Sequence, residues 1–120
     1  MFLYSEKKVK EILDNSDEIK DIFDDLRHTD FRCPLDKLII GSERFPTKEF
    51  TQLIAPARFR LSNRGKRSKY TLKYDKFDVK WMPFNPQSTK TTIMVNPYKH
   101  RLGPAQILRL IKFVLGEYHD

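Results

Sequence analysis

The chain has 120 residues, enough for one domain with a modest core. Its apolar runs fall short of the ~20 residues that span a bilayer, and its lone cysteine, Cys33, cannot close an internal disulfide, so neither a membrane-spanning nor a disulfide-stapled protein is expected. Net charge is +7 but unevenly spread: residues 1–30 carry 5 basic and 9 acidic side chains, whereas residues 55–101 carry 12 basic and 2 acidic, a balance that attracts phosphate backbones or acidic partner surfaces.

Met1–Tyr4 is followed at once by charge and lacks the basic start and apolar stretch of a signal peptide, so a cytoplasmic protein is expected. Ser5 can cap a helix whose apolar positions run Val9, Ile12, Leu13, Ile19, Ile22, Phe23, Leu26. Asn15-Ser16-Asp17 favours caps and turns, but the apolar face stays in phase across it, and the reading is one helix over about 5–27, with a kink at most. His28 to Leu35 is a connection, and Cys33 within it reads as a small buried hydrophobe. Lys37–Ser42 reads as a short strand, and Thr47 to Ala55 as a short helix with Phe50, Leu53 and Ile54 at helical spacing.

The centre alternates strictly. Phe59 and Leu61 alternate with Arg58 and Arg60; Tyr70, Leu72 and Tyr74 with Lys69, Thr71 and Lys73; Phe77, Val79 and Trp81 with Asp78 and Lys80. A turn at Arg64-Gly65 would pair Phe59 with Tyr70, and a turn at Asp75-Lys76 would pair Leu72 with Val79 and Tyr70 with Trp81. Both registers keep the apolar side chains on one face. After a polar loop, Pro83–Lys90, Thr91–Val95 reads as a fourth strand. Gly103-Pro104 opens a last helix with Ile107, Leu110, Ile111, Val114 and Tyr118 on one side, widened by Leu108 and Leu115, and Phe113 on the polar side. The expected fold is α+β: an antiparallel sheet of about four strands with N- and C-terminal helices packed on one face. Its other face would be wet and basic.

That basic face is the strongest functional lead. Arg58, Arg60, Lys69, Lys73 and Lys80 would project from it, and Arg64, Lys66 and Arg67 would sit at the tip of the first hairpin. Such a stripe suits phosphates, each cation releasing counterions and each arginine offering a planar fork. Tyr98-Lys99-His100-Arg101 before the last helix is a second anion-binding lead, with Lys99 and Arg101 as its contacts. Tyr70, Phe77 and Trp81 read as core, while Phe84 and Tyr98 are freer to stack on bases. The spacing of His28, His100 and His119 is not that of metal ligands, and no cofactor or metal is expected.

The preferred reading is therefore a non-enzymatic binder of nucleic acid, DNA or RNA. One alternative is a protein-interaction factor, such as an accessory regulator of the viral kind or an assembly subunit, using the acidic first helix and the basic face, with the opposite charge of the two ends and the off-face Phe113 in its support. The other is a small ribonuclease drawing on His100 or the Glu117–Asp120 tail. No membrane partner is expected.

Overall fold

The structure, a computed structural model, describes residues 2–24, 34–60, 70–82 and 89–117. In chain order these form strand β1 (Phe2–Tyr4), helices α1 (Glu6–Asp14) and α2 (Asp17–Ile22), strand β2 (Leu38–Ser42), and helix α3 (Lys48–Ile54), which runs into a tight turn at Ala55–Ala57. Strands β3 (Arg58–Arg60), β4 (Tyr70–Lys73), β5 (Phe77–Trp81) and β6 (Thr91–Val95) follow, then a one-turn helix α4 (Pro97–His100) and the long α5 (Pro104–Leu115). All six strands share one sheet in the order β2-β6-β5-β4-β1-β3.

The class is α+β as expected, but the sheet is mixed and six-stranded, not antiparallel with about four strands. The second hairpin has the expected register, with Tyr70 opposite Trp81 and Leu72 opposite Val79. The first hairpin does not form. β1 lies between its two arms, antiparallel to β3 and parallel to β4, so that Phe2 stands opposite both Arg60 and Tyr70. The three-residue strand is flanked on both edges, and Ser5 N–H, just past it, donates to Ala57 O at 2.8 Å. β2 closes the opposite edge, antiparallel to β6.

The apolar alternation of β5 and β6 buries Phe77, Val79, Trp81, Ile93 and Val95. These meet Val9 and Leu13 of α1, Ile19 and Ile22 of α2, Phe50 and Ile54 of α3, and Leu110, Val114 and Leu115 of α5 in one continuous core. Each fully buried large aliphatic side chain contributes about 1.5–3 kcal/mol. Phe113, read from the sequence as off-face, is half-buried and meets Phe50 edge-on at 5.7 Å. Leu108, read as widening the buried stripe, is exposed.

One helix over 5–27 is not what forms. The chain breaks at Asn15, whose side chain donates to Glu11 O at 2.8 Å, and Ser16 caps α2 by accepting from Ile19 N–H. The break lets the two pieces serve different neighbours. Asp14, at the end of α1, accepts from the Tyr74 hydroxyl at 2.5 Å, and Lys10 bridges Asp14 and Asp75 at 3.1 Å each. α2 instead turns its carboxylates to α5, where Arg109 donates to both Glu18 and Asp21. Leu26 lies outside the described residues. Among the described residues no helix is long and apolar enough to cross a membrane.

Candidate nucleic-acid interface

Directly paired residues on neighbouring strands share a face of the sheet, so register decides where each expected cation lies. One row runs Phe59, Leu3, Thr71, Lys80, Thr92, Gly41 across all six strands, and the next carries Lys73, Asp78, Met94 and Ile39. This is the face not covered by helices. Lys73 and Lys80 are on it, as expected. Arg58 is not: it stands opposite Tyr4, in register with the helix-side positions, while Arg60 pairs with Phe2 in the same ladder. Phe59, expected in the core, is on the open face and 42% exposed. The cause is the inserted strand, since pairing β3 to β1 instead of β4 reverses which of its positions match the apolar row.

The open face is also not a basic stripe among the described residues. Lys73 faces Asp78 across the β4–β5 ladder. A shallow hollow of about 540 Å³ lined by Leu3, Phe59, Thr71, Lys73 and Lys80 also takes in Glu6. Arg64, Lys66, Arg67 and Lys69, together with Phe84, lie outside the described residues.

The second lead lies where α4 ends and α5 begins. Lys99 and Arg101 are exposed, Arg101 in a left-handed conformation (φ 55°) that ends α4. Tyr98 is 66% exposed. At the start of α5, Gln106 Oε1 accepts from Gly103 N–H at 3.0 Å. Lys99 and His100 share a groove of about 260 Å³ with Lys37 and Lys76, but also with Asp36, Asp75 and Asp78. His100 is half-buried edge-on against Phe23, and burial, with Lys99 and Lys76 nearby, holds its imidazole below the usual histidine value. His28 and His119 are outside the described residues, among which no group of His, Cys, Asp and Glu is placed to hold a metal.

What the structure assembles instead is an aromatic pocket of about 400 Å³ on the helix side of the sheet. Tyr4 from β1, Tyr70 from β4, Trp81 from β5 and Phe45 from the turn before α3 contribute its rings. Tyr70 and Trp81 are stacked, with ring planes 9° apart and centroids at 5.0 Å, and Tyr4 leans on Trp81 at 5.7 Å. α3 adds Thr51 and Gln52, the turn after it adds Ala55, and exposed Arg58 completes the polar rim. Burial pushes the Tyr4 phenol up to about 12, against the opposing pull of Arg58, so it stays a neutral donor at physiological pH. Alternation correctly marks Tyr70 and Trp81 as inward-facing. It gives no hint that the inner face ends in an open pocket, because Tyr4, Phe45 and Gln52 come from segments distant in sequence.

No family model, curated protein or solved structure matches this chain. The functional reading therefore rests on the geometry of the site.

Proposed function

We propose that the protein is a non-enzymatic nucleic-acid-binding module that grips its ligand at one end of the sheet and not across the open face. The observation that carries this reading is the row Arg60, Phe2, Tyr70, Trp81. It brings both flanks of the stretch 61–69, which holds Arg64, Lys66, Arg67 and Lys69, to the end of the sheet where Arg58 rims the aromatic pocket. Phosphates call for clustered cations with few acids nearby, and aromatic rings give bases a surface to stack on. By contrast, the open face offers Lys73 and Lys80 balanced by Asp78 and Glu6.

The test is fluorescence-anisotropy binding to labelled DNA and RNA across a salt series. The expected result is binding that persists at about 0.15 M salt and weakens steeply above it. Reversing Arg58 together with Arg64, Lys66 and Arg67 to Glu should weaken it by more than about tenfold, or 1.4 kcal/mol, and flatten the salt slope by about 0.7–0.9 per lost contact. Lys73→Glu with Lys80→Glu should change little. Equal losses from the two sets would sink the sheet-end assignment, and absence of binding at physiological salt would sink the function.

The open face favours a second reading. Phe59 and Ile39 are 42% and 57% exposed there, near a charge-balanced surface, which suits a protein partner better than a phosphate chain. A stoichiometric protein captured from nuclease-treated lysate by the wild type, and lost with Phe59→Ser, would favour it.

A further inference from the structure

We infer that the aromatic pocket receives one unpaired nucleobase, with the attached phosphate on Arg58, so that the protein selects single strands over duplex. This rests on the nucleic-acid reading and narrows it to a substrate class. The volume, about 400 Å³, lies within the range of small-molecule sites, roughly 300–1,000 Å³. Its rings suit a flat ligand: the parallel Tyr70–Trp81 pair is already a two-layer stack, and Tyr4 and Phe45 line the pocket beside it. A third planar ring continues such a stack, and base–aromatic stacking contributes about 1–3 kcal/mol per base.

The polar groups are few and of the right kind. The Gln52 amide both donates and accepts, as the edge of a nucleobase requires, and the Thr51 hydroxyl can do either. Arg58 is the charged group among the described lining residues, and its fork matches a phosphate. An aliphatic ligand would make no use of the amide or the guanidinium. A paired base cannot reach the pocket, since its edges are engaged and its faces stacked; an unpaired one enters without that cost.

Trp81 is the chain's single tryptophan and lies in the pocket, so intrinsic fluorescence reports its occupancy directly. The experiment titrates the full chain with adenosine and uridine monophosphates, then a short single strand, then the matching duplex, following Trp81 emission and anisotropy in parallel. The expected result is saturable quenching by mononucleotides and by the single strand, with the single strand bound at least about tenfold more tightly than the duplex. Arg58→Gln should weaken mononucleotide binding several-fold. Ala55→Leu, an exposed position of the lining, should fill the pocket and abolish quenching while far-UV circular dichroism stays unchanged. If that variant does not fold, Gln52→Leu on the exposed side of α3 takes its place.

A strand that binds by anisotropy yet neither quenches Trp81 nor responds to Ala55→Leu would overturn the pocket and leave the nucleic-acid reading standing. Equal affinity for strand and duplex would do the same. Quenching by mononucleotides without any oligomer binding would keep the pocket as a nucleotide site and overturn the strand-binding reading. Absence of both overturns both.

Discussion

Tyr74→Phe removes one oxygen and tests how the first helix is held to the sheet. The Tyr74 ring is buried, edge-on to Phe77 at 5.3 Å, and phenylalanine keeps that packing. What is lost is the hydroxyl's bond to Asp14 Oδ1, which with the Lys10–Asp75 bridge ties α1 to the β4–β5 turn. A hydrogen bond to a charged partner is worth about 1.5–3 kcal/mol. The Asp14 side chain is 37% exposed and keeps Lys10, so water recovers part of the loss, and the lower end, about 1.5 kcal/mol, applies. For 120 residues the unfolding entropy is about 0.25 kcal/mol per kelvin, so Tm should fall by about 6 °C at pH 7.

The same contact also sets a pH signature. Tyr74 is the leading cause that holds the Asp14 carboxyl below its usual range. A carboxyl depressed in the folded state stabilises fully above its unfolded value, about 3.9, and less as pH falls through the folded value. The gap between wild type and variant should therefore hold from pH 7 to about 4 and narrow below that. The assay is urea unfolding followed by circular dichroism at several pH values. A loss under about 0.5 kcal/mol, or a gap unchanged down to pH 2, would refute the contact as the anchor of α1.

Two further measurements probe the other joints. Gly116 follows α5 with φ 76° and ψ 178°, a conformation essentially reserved to glycine, and an added Cβ would meet Thr47 Cγ2 at 2.8 Å. Gly116→Ala should cost about 1–3 kcal/mol, and adding Thr47→Ser, which keeps the α3 cap, should recover only the steric part; full recovery in thermal melts would mean that backbone strain is not the cause. For His100, a folded-state value held below the unfolded one means that the unfolded chain takes up the proton first, so stability is whole above about pH 6.5 and declines below it. The wild type should lose more stability than His100→Gln between pH 7.5 and 5.5 in urea titrations, and equal losses would show that His100 titrates freely in the fold.

By itself the sequence determines the local pieces. Strict alternation from Tyr70 to Trp81 around a two-residue turn is enough for the register Tyr70–Trp81 and Leu72–Val79, because the partners are close in the chain and one slip would turn Lys73 or Lys80 into the core. The 3.6-residue spacing of Leu110 and Val114, and the Thr47 cap ahead of Phe50, likewise suffice for α5 and α3. What only the tertiary structure decides is which partner each piece meets. Phe2–Tyr4 pairs with residues more than fifty positions away, and its insertion moves Arg58 to the helix side and Phe59 to the open face. Arg109 gives α2 a reason to leave the line of α1, and Phe50 gives Phe113 a neighbour. Period-two alternation tells two faces of a strand apart but not which face will be covered. That depends on the neighbouring strand, and at the sheet end it is the meeting of β1, α3, β3, β4 and β5 that turns a run of core aromatics into a pocket.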